Sequence, residues 1–320
     1  MSDAIQVRVA AIRTVAPQIR EFTLAPVTGE LYTFSPGSHV VVTMKGTDAA
    51  GKAKIWKNAY SLVSDGFDAS RYVISVRLQD NSRGGSVFMH TQVSEGDTLE
   101  ITPPSNLFAP VWSAKKHVLI AGGVGITPFM SYLPEMKRRG AAMEMHYSFR
   151  SQQTGAYREA LTSNDAVSVS CYDGDAGERV DLNAVLGSQP LGTHFYVCGP
   201  ESLIEGVQDT AAALGLPATH IHFEAFAAPQ PGQPFDVQIA DSDLQIHVSE
   251  DESLLEALER SGVEVPNLCR GGVCGQCRTQ VVDGKPEHRD TFLSDTEKSD
   301  NDCLMPCVSR AQSSRLTLSI

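Results

Sequence analysis

The chain has 320 residues, 42% of them hydrophobic, and a formal net charge of −12. This length predicts two or three domains with ordinary hydrophobic cores. The acidic balance argues against nucleic acid as a partner. Because no stretch approaches the ~20 apolar residues of a membrane span, we expect a soluble, cytoplasmic protein without membrane contact.

Residues 1–111 are predicted to form a small antiparallel β-barrel. The candidate strands are residues 6–13, 19–24, 39–44, 59–63, 72–78 and 98–102. They are short, rich in Val, Ile, Thr and aromatic residues, and separated by Gly, Pro, Asp and Ser. Regular short strands with no long helix between them are typical of a barrel.

Residues 112–228 alternate between strands and helices. The candidate strands are residues 117–121, 143–148, 167–172 and 194–198, and the candidate helices are residues 129–138 and 203–214. Continuous apolar strands that alternate with helices predict an α/β domain with a parallel sheet.

Residues 229–234 are rich in Pro and Gly and predict a linker of limited flexibility. Residues 235–320 predict a small α+β domain. Its candidate elements are strands at 235–240, 245–248 and 315–320 and a helix at 253–261. Ser253, with Glu256 three residues later, predicts a capping box at the start of that helix.

Four cysteines in the third domain carry the strongest chemical signal. Cys269, Cys274 and Cys277 form C-x4-C-x2-C, and Cys307 follows after a long gap. This is the plant-type spacing for a [2Fe–2S] cluster, which accepts one electron at a time. Zinc sites favour paired C-x2-C knuckles, and a disulfide knot suits an oxidising compartment. Only one C-x2-C pair occurs here, which weakens the zinc alternative, and residues 1–6 lack the basic start and apolar run of a secretory signal, which weakens the disulfide alternative.

The fourth cluster ligand has two candidates, Cys303 and Cys307. Cys307 is preferred because it shortly precedes the apparent last strand, but Cys303 remains the alternative fourth ligand. Cys171 and Cys198 lie far upstream and need no cluster role.

Two turns and two barrel segments carry further signals. Residues 122–128 form a glycine-rich turn between a predicted strand and helix, where a backbone can approach a phosphate. Residues 198–200 end another strand of the same sheet. In the barrel, Tyr60 beside Ser61 suits a flat conjugated ring, and residues 83–86 offer a cation, N–H groups and a hydroxyl to a phosphate. Each signal alone also fits an ordinary turn or core strand, so their order along the chain carries the weight.

In that order the segments resemble the ferredoxin reductase superfamily, and more narrowly the phthalate dioxygenase reductase family. The resemblance covers essentially the whole chain and also rests on residues 222–226 and the four cysteines. A closer likeness, at residues 58–62, 106–109 and 146–147, is to reductases that serve an oxygenase of carnitine or another quaternary ammonium compound. The family resemblance implies a multidomain protein with an antiparallel β-barrel flavin domain, an α/β nicotinamide domain and an α+β plant-type ferredoxin domain.

The resemblance also implies site residues and cofactors, namely FMN, NADH and the [2Fe–2S] cluster. The implied residues are Asn58, Ala59, Tyr60 and Ser61 beside the flavin; Ser75, Val76 and Arg77 on the adjacent strand; Arg83, Gly84, Gly85 and Ser86 around its phosphate; Gly125 and Thr127 where flavin and nicotinamide meet; Cys198, Gly199 and Pro200 beside the nicotinamide; Phe226 against the flavin face; and Cys269, Cys274, Cys277 and Cys307 on the cluster. Many relatives have arginine where this chain has Asn58, so Lys57, Arg77 or Arg83 must supply more of the positive charge.

The function implied is an NADH-dependent reductase of a two-component Rieske oxygenase system, acting as a monomer. A nicotinamide delivers two electrons and a cluster accepts one, so a flavin between them is required, and no catalytic side-chain base or nucleophile is needed. Alternatives are a reductase for a diiron hydroxylase or a cytochrome, or a ferredoxin-type carrier. NADPH stays an alternative because Arg150 follows a strand at a position where it can bind the 2′-phosphate. Asp173 and Asp175 would disfavour that extra phosphate and so favour NADH.

The third domain is the acidic end of the chain, with 16 Asp or Glu and 8 Lys or Arg between residues 235 and 320. This asymmetry fits an acidic docking face for a basic redox partner. It fits ordinary solubility equally well.

Overall fold

The computed structural model describes residues 4–48, 50–80, 82–163, 167–226 and 229–320. The chain divides into two compact units, Met1–Phe226 and Ala227–Ile320. Within the described ranges, no helix is both long and apolar enough to cross a lipid bilayer. The domain boundaries expected near residues 111 and 234 stay predictions, and the expected end of the second domain at residue 228 lies outside the described residues.

The first unit begins with an antiparallel barrel. Its elements are β1 (Ile5–Ala16), β2 (Ile19–Pro26), β3 (Ser38–Thr47), β4 (Ala53–Ser61), β5 (Tyr72–Arg77), α1 (Gly85–Thr91), β6 (Thr98–Ile101) and β7 (Ser105–Asn106). The strand order is β4-β3-β6-β1-β2-β5, and β7 pairs with β3. An antiparallel bridge between Leu62 and Ile74 connects the end of β4 to β5 across the remaining gap.

Strand β4 shows why the barrel was predicted only in part. It begins at Ala53, six residues before the predicted start at residue 59. Its first half has the lysines Lys54 and Lys57 and no apolar alternation, but it pairs residue by residue with β3, from Thr47 opposite Ala53 to Val42 opposite Asn58. Ladder hydrogen bonds from a partner strand therefore set this boundary, rather than the local side-chain pattern.

The first unit continues with a five-stranded parallel sheet and its helices. The elements are β8 (Lys116–Gly122), a 3₁₀ turn (Gly123–Ile126), α2 (Thr127–Arg139), β9 (Met143–Phe149), α3 (Arg158–Thr162), β10 (Ser168–Asp173), α4 (Leu182–Gly187), β11 (Thr193–Gly199), α5 (Glu201–Ala213), a second 3₁₀ turn (Ala218–His220) and β12 (Ile221–Ala225). The order is β10-β9-β8-β11-β12. Strand β8 thus lies between β9 and β11, where the direction of strand addition reverses, and ligands bind at this point in open α/β sheets.

Both faces of β8 are buried, as its continuous apolar run predicts. Leu119 and Ala121 pack with α2, while Val118 and Ile120 pack with α4 and α5. The buried strand therefore fixes the two helix layers and leaves only its carboxyl end open to a ligand.

The second unit is an α+β fold. Its elements are β13 (Phe235–Ile239), β14 (Gln245–Val248), α6 (Leu254–Arg260), β15 (Thr279–Asp283), β16 (Pro286–Glu287), α7 (Asp295–Asp300), β17 (Cys303–Leu304), β18 (Arg310–Ala311) and β19 (Arg315–Ser319). The main sheet has the order β14-β13-β19-β15-β17, and β16 pairs with β18. The predicted capping box of Ser253 and Glu256 is present at the start of α6.

Two arginines hold the predicted linker segment against the second unit. Arg289 donates from Nη1 to the carbonyl oxygen of Gln230 at 2.7 Å. Arg310 is 2% exposed and donates from Nη2 to the carbonyl oxygens of Gly232 and Gln233 at 3.2 and 3.0 Å. A Cβ on Gly232 would lie 2.7 Å from Arg310 Cδ and 2.8 Å from Arg289 Nη2, so the backbone passes between the two side chains. The Pro- and Gly-rich composition of this segment does not reveal this anchoring.

Replacing Arg310 by methionine tests the anchoring. We expect Arg310→Met to lower the free energy of unfolding of the second unit by about 3 kcal/mol, because the hydrogen bonds from the buried guanidinium to four backbone carbonyls are lost. Urea denaturation of the full chain measures this, and Arg315→Met, at an exposed position of β19, is the matched control. Equal stability of the two variants would contradict the role of Arg310.

Candidate functional site

The outer face of β4 and β5 contains buried polar atoms that need a partner. Ser61 is 5% exposed, and its Oγ has no hydrogen-bond partner among the described residues. The same holds for Arg77 Nε. A buried polar atom without a partner costs about 1–3 kcal/mol, so such atoms mark a place where a ligand completes the hydrogen bonds. Ser61 and Arg77 fit the polar edge and the phosphate of a flavin nucleotide.

Asn58 links the predicted flavin tyrosine to the predicted phosphate segment. Its Nδ2 donates to Tyr60 Oη at 3.2 Å, and a Cβ on Gly85 would lie 2.5 Å from the same nitrogen. Burial raises the pKa of Tyr60 to about 12, against a smaller lowering by Asn58. Asn58 therefore orients the Tyr60 hydroxyl and packs against the phosphate segment, although it has no positive charge to offer a phosphate.

The phosphate segment is held in place by Trp56. Its Nε1 donates to the carbonyl oxygen of Arg83 at 2.8 Å. Gly84 has φ 114, and a Cβ there would lie 2.7 Å from the Trp56 ring, so glycine is required for two reasons. Ser86 Oγ donates to Ser82 Oγ at 2.8 Å, which commits that hydroxyl to the turn. Backbone N–H groups at the start of α1 remain the natural phosphate donors here.

The remaining barrel residues of the predicted site play different parts. Val76 is 1% exposed and lies in the barrel core, so only its backbone faces the outer side. Ala59 pairs with Val41 and is partly buried. The Ser75 hydroxyl is hydrogen-bonded to Tyr157 Oη, which comes from the nicotinamide part of the unit.

Two turns meet at the carboxyl ends of β8 and β11. A Cβ on Gly125 would lie 2.2 Å from the carbonyl oxygen of Cys198 and 2.8 Å from the Gly199 nitrogen. A Cβ on Gly122 would lie 2.6 Å from Pro200 Cδ. The structure therefore brings the two predicted nicotinamide motifs into direct contact, and the contact itself demands glycine.

Other residues of this edge are less open than the sequence suggested. Thr127 Oγ1 donates to the carbonyl oxygen of Val124 at 3.0 Å, which closes the 3₁₀ turn. Cys198 is fully buried, and burial raises the pKa of its thiol well above the usual range. Phe226, by contrast, is 42% exposed just beyond β12.

The cysteine loop brings its thiols together. Cys277 Sγ and Cys307 Sγ are 3.3 Å apart. The Cys274 and Cys307 thiols hydrogen-bond to Cys269 and hold its pKa far below the usual range. The pKa of Cys277 is also lowered, mainly by Cys307. Four sulfurs this close together form the all-cysteine donor set that a [2Fe–2S] cluster needs.

Cys303 differs from these four cysteines. It lies on β17, where it pairs with Gln280 of β15. Burial, with a smaller contribution from Asp302, raises its pKa to about 11. The contact between the Cys307 and Cys277 sulfurs, together with the place of Cys303 on β17, favours Cys307 over Cys303 as the fourth ligand.

The backbone of the cysteine loop depends on residues that the sequence analysis did not single out. Arg270 has φ 52 and is 8% exposed. Its Nη1 and Nη2 donate to the two carboxylate oxygens of Glu259, each at 2.9 Å. Gly275 has φ 73, and the Phe292 ring lies over it, 2.2 Å from where a Cβ would stand. The sequence could have indicated Arg270, because this residue lies inside the cysteine motif. Nothing in the sequence indicated its distant partner Glu259.

Comparison with known proteins agrees with this geometry. Residues 237–312 match the family described as a 2Fe-2S iron-sulfur cluster binding domain, and residues 98–221 match the N-terminal domain of dimethylamine monooxygenase subunit DmmA-like proteins. The heme-dependent oxidative N-demethylase beta subunit of Ectopseudomonas mendocina is 48% identical over all of both chains. The carnitine monooxygenase reductase subunit of Escherichia coli is 40% identical, again over all of both chains. The structure of phthalate dioxygenase reductase, described as modular for electron transfer from pyridine nucleotides to [2Fe-2S], superposes with TM-score 0.85 at 32% identity, covering 99% of this chain and 98% of that one.

A barrel next to a parallel nicotinamide-type sheet, followed by a plant-type ferredoxin fold, defines an iron–sulfur flavoprotein oxidoreductase. The chain belongs to the phthalate dioxygenase reductase family. It is an NADH-dependent reductase whose cofactors are FMN and a [2Fe–2S] cluster, and its relatives are named as reductase components of oxygenase systems.

The comparisons confirm the family, the fold class, the enzyme class and the cofactors expected from the sequence. They equally confirm the closer likeness to carnitine monooxygenase reductases. The roles of individual cofactor-binding residues stay predictions.

Replacing Ser61 by alanine tests the predicted contact of its hydroxyl with the flavin. We expect Ser61→Ala to raise the FMN dissociation constant about tenfold, because one hydrogen bond to a buried group is lost. Fluorescence titration of the flavin-free protein measures the constant. Ser70→Ala, at an exposed serine of the same barrel, should leave it unchanged. An unaltered FMN dissociation constant in Ser61→Ala would show that the flavin ring does not contact this hydroxyl.

Replacing each of the two candidate fourth ligands by serine distinguishes them. Cys307→Ser should lose the visible absorbance of the cluster and its two irons, because a plant-type site needs four thiolates. Cys303→Ser, a change of the same kind four residues away, should keep both. Iron analysis and the visible spectrum of the purified variants decide the matter, and the reverse result would make Cys303 the ligand.

Proposed function

We propose that this reductase supplies electrons to an oxygenase that acts on a methylated amine. The observation that carries the proposal is the 48% identity, over both whole chains, to the beta subunit of a heme-dependent oxidative N-demethylase. The likeness to dimethylamine monooxygenase and carnitine monooxygenase subunits supports it. Dimethylamine, carnitine and the substrate of an N-demethylase all contain N-methyl groups.

The site residues serve this activity by binding and orienting the cofactors. Bound FMN would supply the chemistry that links a two-electron donor, NADH, to a one-electron acceptor, the cluster. Ser61, Arg77 and the backbone of the phosphate segment would hold the flavin, and the contact of Gly125 with Cys198 would shape the nicotinamide side. Cys269, Cys274, Cys277 and Cys307 would hold the cluster.

The terminal component has two candidate types. A heme-dependent oxygenase is favoured by the 48% identical relative. The Rieske-type oxygenase predicted from the sequence is supported by the likeness to phthalate dioxygenase reductase and to carnitine monooxygenase reductases. The heme-dependent type ranks first because its relative shares the higher identity.

An anaerobic titration with NADH is the first step of the test. Flavin bleaching followed by an EPR signal of the reduced cluster is the expected result. A cluster that stays oxidised, but is reduced by a separate reductase, would make the chain a ferredoxin-type carrier.

Reconstitution then tests the oxygenase. The NADH-reduced protein is mixed with the alpha subunit of a heme-dependent N-demethylase, or with a Rieske-type carnitine monooxygenase, each with its substrate. We expect amine-dependent NADH oxidation and product formation with the heme component, at a rate at least about tenfold above that with the Rieske component. The opposite ratio would support the Rieske candidate. Reduction of neither component would overturn the amine oxygenase proposal and leave the reductase activity intact.

A further inference from the structure

Tyr157 has an unusual backbone conformation at the junction of the barrel and the nicotinamide sheet. Its φ is 63, in the left-handed region that is uncommon for a bulky side chain. It stands immediately before α3. Such strain persists only where the surrounding structure enforces it, and it concentrates at functional positions.

The Tyr157 side chain reaches into the barrel. Its hydroxyl donates to Glu21 Oε2 at 2.7 Å, and it contacts the Ser75 hydroxyl. A tyrosine has a single hydroxyl proton, which here goes to the carboxylate, so Ser75 is the donor to Tyr157. Arg13 Nη2 lies 3.0 Å from Glu21 Oε1, and this ion pair holds in place the carboxylate that accepts the last hydrogen bond. The result is a directed series of hydrogen bonds from Ser75 through Tyr157 to Glu21.

This series connects the two halves of the first unit. Glu21 of β2 and Ser75 of β5 are paired neighbours in the barrel, whereas Tyr157 belongs to the segment after β9. The backbone N–H of Gln18 donates across the same junction to the carbonyl oxygen of Gln153 at 3.1 Å.

The apolar side of Tyr157 completes the junction. It packs against the buried cluster of Ala16, Ile19 and Ala156, and Val124 packs against the same cluster. Val124 belongs to the glycine turn Gly123–Ile126. Tyr157 therefore contacts Ser75 on the strand predicted to flank the flavin, and it shares an apolar cluster with the turn predicted to meet the nicotinamide.

We propose that Tyr157 is a positioning residue for hydride transfer, which holds β5 and the glycine turn at a fixed separation through the series Ser75–Tyr157–Glu21. In this step the C4–H bond of the reduced nicotinamide breaks and the hydride, with both electrons, passes to the flavin. The nicotinamide is oxidised and the flavin is reduced by two electrons. Such a transfer requires reacting atoms about 3–3.5 Å apart, and a misplacement of about 1 Å costs up to about a hundredfold in rate.

The test compares Tyr157→Phe with the wild-type holoenzyme. In anaerobic stopped-flow mixing with NADH, without any oxygenase, the limiting rate of flavin reduction should fall about tenfold while the NADH dissociation constant changes less than about twofold. FMN occupancy should be unchanged. Because no terminal component is present, the result is independent of the proposed amine oxygenase partner.

A matched control separates positioning from a general loss of stability. Tyr72 is fully buried in the barrel, and its hydroxyl donates to the Tyr32 carbonyl oxygen at 2.6 Å. Tyr72→Phe therefore also removes a tyrosine hydroxyl and its hydrogen bond inside the barrel, away from the junction, so it should leave the limiting rate within about twofold of the wild type. An equal fall of the rate in both variants would overturn the proposal.

Hydrogen exchange gives a readout that does not depend on turnover. In the oxidised holoenzyme, the Gln18 amide should exchange about tenfold faster in Tyr157→Phe than in the wild type or Tyr72→Phe, because its bond to Gln153 crosses the loosened junction. Unchanged exchange together with an unchanged rate of flavin reduction would show that Tyr157 does not set the separation.

Glu21→Gln provides a second variant if Tyr157→Phe folds poorly. It keeps the side-chain size and an acceptor oxygen but removes the charge that orients the series. We expect a slower limiting rate, and no further loss when it is combined with Tyr157→Phe, because members of one network are not additive. Additive effects of the two changes, or a loss of FMN binding in either variant, would assign these residues another role.

Discussion

The close approach of two backbone turns at the carboxyl edge of the parallel sheet is the constraint on which the nicotinamide side depends. A Cβ on Gly125 would overlap the carbonyl oxygen of Cys198, at 2.2 Å, so β8 and β11 can end side by side only with glycine there. Helix α2 begins at Thr127, directly after this turn, so the same contact sets the direction of its N-terminus. The nicotinamide edge of the first unit is therefore formed by closely packed backbone rather than by reactive side chains.

The second unit satisfies a different constraint, which is the convergence of four sulfurs. Arg270 takes a left-handed conformation and forms a bidentate pair with Glu259, so the loop is fixed to α6 at its tightest point. A buried arginine is costly unless its donors are satisfied, and here two of its nitrogens bind one carboxylate. Arg310 does the same for the segment before β13 by donating to backbone carbonyls. Buried arginines thus stabilise the irregular segments that the small sheet cannot.

Local sequence patterns predicted the elements whose side chains alone define them. The buried strand β8 and the strand β14 were located to within one residue, because an apolar run or an alternating pattern between turn residues is a local signal. The start of β4 and the short helix α1 were missed. The first depends on pairing with β3, and the second directly follows Gly84, whose conformation is set by contact with Trp56.

The sequence by itself determined the chemistry, because the spacing of Cys269, Cys274 and Cys277 and the order of the flavin and nicotinamide motifs are local features that a single chain displays. Only the tertiary structure decided which distant side chains support that chemistry. The pairing of Tyr157 with Glu21 spans 136 residues, and nothing in the local pattern around either residue predicts the other. Hydrogen bonds of this kind depend on how the sheets and loops pack, which is a property of the whole fold.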